Sequence, residues 1–417
     1  MKKKSLSLLL ITVMIMSGMS LSGAKIRRKK LIFLLFCIFF VHIFTGCGLQ
    51  EYESEKQEEY QIFSIDSTEW NDLDFLDERL DKAEIILIGE SHGIECNQKI
   101  EMKFLKYLYT NHGVRYYLCE LPHSVCMKMN DFLASGNIDI LDEFFIHTKG
   151  TNTYTEEIYQ KWLELYEFNK SLPEADKVKV VGVECELVTE YAMEVIVELL
   201  STEKEVPLEI ADIMNQLIKK SYRCEDIEYI LYEIEVNEPI YKEYVGEENL
   251  FHIRHILENI EIGYFVHEKN TDQERYMIRD QAMYKNFVKL SAFNEQGKYF
   301  GQFGLNHVYQ MEERGVRWFA SRLKENGYDG KIVSIPIEYK NCSRLYFDQN
   351  DKACVEDNFF VETSADIDME IWNNLSKDKA VIYSAVEEES PYYHLKDYLQ
   401  YMILIRDCEA ATPLEME

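Results

Sequence analysis

Basic charge is scarce in this sequence of 417 residues: 45 Lys and Arg stand against 74 Asp and Glu, for a net charge of -29. Nucleic acid is therefore a poor partner, because phosphate binding needs Lys and Arg. No C-x-x-C pair occurs among the ten cysteines, which removes the usual metal-type signature. No apolar run is long enough for a comfortable membrane span. There is no internal repeat and no low-complexity stretch. What is present is the material for a core. Hydrophobic residues make up 47% and aromatics 13%, enough for one large or two modest domains and against global disorder. The acidity itself argues for solubility and a solvated face.

The stretch Ile85–Gly93 reads Ile-Ile-Leu-Ile-Gly-Glu-Ser-His-Gly. Four apolar residues, Ile85–Ile88, predict a fully buried strand. Gly89 ends it, which puts Glu90 and His92 on the loop past its carboxyl end. A helical pattern follows through Ile100, Phe104, Leu105 and Leu108. Further strands are expected at Arg115–Cys119, Lys177–Val183, Tyr299–Phe303, Lys331–Ile337 and, last, Ala380–Ala385. Helices are expected at Ser124–Leu133, Glu156–Asn169 and Val316–Asn326, while Asn137–Gly150 reads as less regular. From Tyr191 to about Leu290 the pattern is almost wholly helical, with Gly263 as a lone break. Strands alternating with helices imply an α/β fold: a mostly parallel sheet flanked by helices, here with a helical insertion or cap.

In such sheets ligands bind outside the carboxyl ends of the strands. Four strands here deliver polar groups at that end: Glu90 with His92, Glu120, Glu184, and His307 beside Asn306. One such acid is a loop residue; three carboxylates and two imidazoles on one edge are a candidate site. The scattered cysteines read as buried free thiols, although Cys342 and Cys354 flank a hairpin expected at Leu345–Val355, where a local disulfide would fit. His252 and His255, at i and i+3, read as packed or solvated rather than metal-binding, and His112 and His123 are given no role.

The N-terminal 46 residues differ from the rest: they hold eight basic residues and no acidic one, so removing them takes the net charge from -29 to -37. Their two apolar runs, Leu6–Met16 and Leu31–Phe44, suit signal-peptide cores. Phe44-Thr45-Gly46-Cys47 resembles a bacterial lipoprotein signal, with phenylalanine where leucine is usual, and implies lipidation at Cys47. The expected organisation is a leader at 1–46 and an acidic tether at 47–61. The first part of the α/β domain follows at 62–190, a helical insertion at 191–290, and the second part at 291–417. The body is expected outside the cytoplasmic membrane, anchored to its outer face.

Four motifs resemble the erythromycin esterase-like family, part of a wider group that includes the haem-uptake lipoprotein ChaN and the Tiki proteases. They are Gly89-Glu90-Ser91-His92-Gly93, the strand ending in Glu120, Arg279-Asp280-x-x-Met283-x-x-Asn286, and Gly304-Leu305-Asn306-His307-Val308. They occur in the family's order between about Ile85 and Tyr309. Arg279, Met283 and Asn286 share one helix face, so Arg279 can present its fork to a carboxylate or an oxyanion. The plain alternative is a salt bridge from Arg279 to Glu90 or Glu120 that only holds the cap. One position departs: the esterases carry an arginine in the helix after the first motif, and Glu101 stands here, with Lys99 and Lys103 nearby. That counts against a macrolide substrate.

The resemblance implies water activation by His92, oriented by Glu90 or Glu120, with His307 as proton donor and Arg279 as charge stabiliser, on a small-molecule ester or lactone. Asn306, Asn286 and Glu184 would contact substrate, and no cofactor is required. A metal variant uses Glu90, His92, Glu120 and His307 as ligands for zinc or manganese. A third reading takes Gly89-x-Ser91-x-Gly93 as a nucleophile turn with Ser91, Glu184 and His307 as a triad, although the helix starts late for it. The non-enzymatic reading is a surface lipoprotein that binds a ligand such as haem.

Overall fold

The structure is a computed structural model and describes residues 60–66, 71–217, 222–294, 297–348, 350–361 and 373–415. The leader, the lipidation site at Cys47 and the tether up to residue 59 lie outside the described residues. From Glu59 onward the chain is one unit. Its strands, in chain order, are β1 (Tyr60–Ser64), β2 (Ile85–Glu90), β3 (Val114–Pro122), β4 (Lys179–Glu184), β5 (Lys298–Gly304), β6 (Ile332–Phe347), β7 (Ala353–Val361), β8 (Lys379–Ser384) and β9 (Tyr401–Arg406). Its α-helices are α1 (Asp77–Lys82), α2 (Cys96–His112), α3 (His123–Ser135), α4 (Ile138–His147), α5 (Glu156–Lys170), α6 (Thr189–Leu200), α7 (Ala211–Gln216), α8 (Cys224–Val236), α9 (Glu238–Val245), α10 (Glu247–His267), α11 (Asp272–Ser291) and α12 (Phe319–Leu323).

The strands form one sheet in the order β1-β8-β9-β6-β2-β5-β3-β4, with β7 also on β6. β2 pairs in parallel with β5 and β6, and β3 in parallel with β4 and β5. The antiparallel pairs, β1 with β8, β8 with β9 and β6 with β7, lie toward the other end. The sheet is buried on both faces because alternate residues of a strand point to opposite sides. Ile86 and Ile88 of β2 pack on one side with Ile100, Phe104 and Leu108 of α2. Ile85 and Leu87 pack on the other with Met283, Phe287 and Leu290 of α11.

Several expectations need correction. Two strands at the chain's ends went unread: β1 takes in Tyr60 and Gln61, assigned to the tether, and β9 follows the strand expected to be last. Asn137–Gly150 contains the regular helix α4, capped by the side chain of Asn137, which accepts from the Asp139 amide. The helix expected at Val316–Asn326 is shorter, because Asn326 and Gly327 leave helical geometry. Gly263 breaks nothing. It lies inside α10, where a Cβ would come within 2.1 Å of the Glu186 carbonyl oxygen, so the glycine buys close approach rather than a turn. Cys342 pairs in register with Phe359 and Cys354 with Tyr346; facing different partners, both thiols are free. The helical stretch after β4 is part of the same unit, and α11 packs directly on β4.

Candidate active site

β2, β5, β3 and β4 are neighbours in the sheet, so the four polar strand ends read from the sequence are also neighbours in space. Glu90 closes β2, and its carboxylate takes the Nδ1 of His92 on one oxygen and the amide of Asn97 on the other. Asn97 also donates to the Ser91 carbonyl (2.8 Å) and accepts from the Tyr339 hydroxyl (2.9 Å). The loop is held from outside by Gly93, whose carbonyl accepts from Leu345 and Ala411. Gly93 has φ +85°, and a Cβ there would lie 2.1 Å from the Leu345 carbonyl oxygen, so only glycine fits.

The second cluster is built around Glu120. One of its oxygens meets the Arg279 guanidinium at 3.0 Å and the Nε2 of His307 at 3.3 Å; the other accepts from the Gly304 amide at 2.7 Å. Arg279 also grips Glu184 through Nε (3.0 Å) and Nη2 (2.6 Å). Its Nη1 has no protein partner among the described residues. The Nδ1 of His307 pairs with Asp280 at 2.8 Å, and the Phe319 amide fixes that carboxylate from behind. Arg279 thus reaches Glu120 and Glu184, and not Glu90.

The two clusters face each other across Gly304. The position a Cβ would take there lies 3.4 Å from each of Glu120 Oε2, His92 Nε2 and His307 Cδ2. Electrostatics follow from these pairings. Glu90, and secondarily Glu120, raise His92 to about 9. Burial alone would lower His307, but Asp280 and Glu120 outweigh it and raise the imidazole to about 10. Burial would raise Glu120, yet His307, Arg279 and His92 bring it well below the usual carboxylate range. His307 is buried, whereas the His92 side chain is 48% exposed.

A cavity of about 370 Å³ opens beside this edge, lined in part by Glu90, His92, Glu120, Glu184 and Arg279. Glu101 lines it too, and its charge is answered: Lys161 of α5 lies 3.2 Å away, and the Tyr117 hydroxyl bonds the same carboxylate. Asn306 is exposed beside His307. Asn286 does not line the cavity; it is buried and donates to the Val183 carbonyl (2.9 Å) and Asn259 (2.7 Å). The triad read through Ser91 is not assembled, because Glu184 is held by Arg279 and both ring nitrogens of His307 are held by Asp280 and Glu120. Sequence reasoning missed Asp280, Asn97, Tyr339 and Glu186. Asp280 had a signal, since it stands beside Arg279 in the quoted motif; Asn97 and Tyr339 come from a helix and a distant strand with none.

The donor set does not fit a zinc or manganese ion. Both Glu90 oxygens and the Nδ1 of His92 are spent on near neighbours, Glu120 is spent on Arg279, His307 and an amide, and His307 on two carboxylates. The Arg279 guanidinium already stands as the cation between Glu120 and Glu184. Among the described residues no group of three or more His, Cys, Asp or Glu is placed to hold a metal.

The sequence matches no family model and no curated protein. Among solved structures, an erythromycin esterase, EreC, in its open conformation superposes with a TM-score of 0.62 at 10% identity, over 86% of this chain and 99% of that one. The chain has the erythromycin esterase fold. A Bacillus cereus protein superposes at a TM-score of 0.66 and 15% identity, over 87% of this chain and 98% of that one. A haem-bound ChaN of Campylobacter jejuni aligns at a TM-score of only 0.28 and 12% identity, over 67% of this chain and 91% of that one, too low to indicate a shared fold.

Proposed function

We propose that the protein is a hydrolase that activates water on a small ester or lactone. The observation that carries this reading is His92 Nε2, which faces Glu120 and His307 across Gly304 beside the cavity and is, among the described residues, the one ring nitrogen of the edge's two imidazoles with no protein partner. A water held from the cavity side by His92 Nε2 gives it a proton as its oxygen attacks the substrate carbonyl. Glu90 holds the imidazole by Nδ1 and stabilises the imidazolium. The developing oxyanion is met by Arg279 Nη1. His307, a cation at neutral pH, exchanges its Nε2–H bond to Glu120 for one to the leaving oxygen and gives that oxygen its proton. The acyl–oxygen bond breaks, and the proton gained by His92 restores the balance through solvent.

His92 must be neutral to act, and with a pKa of about 9 only roughly one molecule in a hundred is neutral at pH 7. Hydrolysis of small aryl esters and lactones should therefore rise with pH toward 9 and vanish in His92→Ala. Activity retained in that variant overturns the assignment. Export belongs to the same proposal: a lipid on Cys47 would hold the site at the cell surface, and a palmitate analogue should label the parent and not Cys47→Ser.

A further inference from the structure

Charges around the cavity pair off almost completely. Glu90 is matched by His92, Glu120 and Glu184 by Arg279, and Glu101 by Lys161. Glu186 is the exception. It lines the same cavity and is 2% exposed, yet among the described residues its oxygens accept only from the amide (3.0 Å) and hydroxyl (2.6 Å) of Ser124. Those two bonds leave about half of a carboxylate's acceptor sites open. Burial, with Glu184 adding to it, pushes the Glu186 carboxyl up to about 7 against those hydrogen bonds. Buried carboxylates ordinarily have a cationic partner, and this one lacks it.

A second observation points the same way. Tyr191 lines this cavity at 3% exposure, and its hydroxyl has no hydrogen-bond partner among the described residues. Phe144 lies on the same lining, as does Trp162, whose ring already carries the Lys161 ammonium 5.1 Å from its centroid. Buried hydroxyls are normally satisfied, and aromatic rings beside an unpaired carboxylate are what recognises an organic cation. The cavity holds roughly a dozen water volumes, at the small end for ligand sites, so the ligand is small.

We infer that the cavity receives the ammonium group of a small cationic ester or lactone, with Glu186 as its counter-charge and the rings of Tyr191 and Phe144 as its walls. This rests on the hydrolase reading for the ester end alone; the cation site stands on its own geometry. The net acidity of the chain favours the approach of such a substrate.

The test uses the full chain and two isosteric pairs, choline with 3,3-dimethylbutanol for binding and their acetate esters for turnover. Calorimetry or ligand-observed NMR should show choline binding about tenfold or more tightly than the neutral alcohol. Glu186→Gln should abolish the preference. Tyr191→Phe, which removes one unpartnered oxygen and leaves the core filled, should weaken choline binding without unfolding the protein. Equal binding of the pair, no choline binding, or a preference that survives Glu186→Gln overturns the inference. Choline binding without hydrolysis of either acetate keeps the cation site and counts against the hydrolase; equal hydrolysis of both acetates does the reverse.

Discussion

Two groups of histidines in this molecule behave in opposite ways. His92 and His307 sit on the sheet edge against Glu90, Glu120 and Asp280, and are raised to about 9 and about 10. His123, His252 and His255 meet behind β4, where α3 packs near α10: His123 and His252 are bonded at 2.9 Å, and His255 stacks on Phe251. Burial, with Lys289 and the neighbouring imidazoles adding to it, lowers His255 to about 3, and His123 falls in the same sense. His252 is lowered by burial although Glu248 opposes it. The side chain is the same in both places. Carboxylates at hydrogen-bond distance make it a cation, and their absence leaves it neutral. The edge is thereby equipped for proton transfer and the other cluster for packing.

The strongest way to break this contrast is His92→Ala. It removes the proposed base and should lower the turnover of any ester substrate by about a hundredfold to ten-thousandfold. Because the pairing with buried Glu90 that raises His92 also supports the fold below about pH 9, some thermal stability should go with it, more at pH 7 than above pH 10. A large loss of stability with activity intact would place His92 among the structural histidines.

Asp280→Asn tests the cause of the contrast. The amide can still accept from His307 and from the Phe319 amide, but the charge is gone. His307 should titrate about one to three units lower, read by NMR, with His123 unmoved. An unchanged His307 would mean that Glu120 alone sustains the cation.

The two groups also predict opposite pH limits. An imidazole raised in the folded state contributes stability fully below the unfolded value of 6.5 and loses it as pH climbs through about 9 to 10. An imidazole lowered in the folded state contributes fully above 6.5 and loses it as pH falls toward about 3. Glu186, raised from 4.5 to about 7, pulls the other way over that interval. The readout is therefore the difference between proteins. His255→Phe should lose less stability than the parent in chemical unfolding between pH 6.5 and 4.5, and the two curves should run parallel above pH 7. Curves parallel throughout would show that His255 is not neutral when folded.

Much of the edge was legible because it rests on local signals. Apolar runs closed by a polar residue gave β2, β3, β4 and β5 within a few residues, and parallel-sheet physics then brings their ends together. Asp280 and Arg279 were adjacent in one motif. What was hidden depends on contacts distant in sequence. Nothing near Lys161 reveals that it answers Glu101 on another helix, and Glu186 looks like any acid until Gly263 is seen to let α10 close on it. β9, an apolar strand near the chain's end, carries a local signal of the same kind and depends on no distant contact.

Asn286 joins the two histidine groups and should give the smallest effect. Its amide donates to the Val183 carbonyl, one residue before Glu184, and to Asn259, whose own amide donates to the His255 carbonyl at 2.8 Å. The motif suggested a substrate contact; the bonds describe a bridge between the edge and the neutral cluster. Asn286→Ala leaves the Val183 carbonyl and the Asn259 oxygen without this donor, so it should cost about 1–2 kcal/mol of stability. KM for an ester substrate should stay within about threefold, because Asn286 does not line the cavity. A rise in KM of tenfold or more at unchanged stability would restore Asn286 to the substrate side, and the bridge would then be incidental.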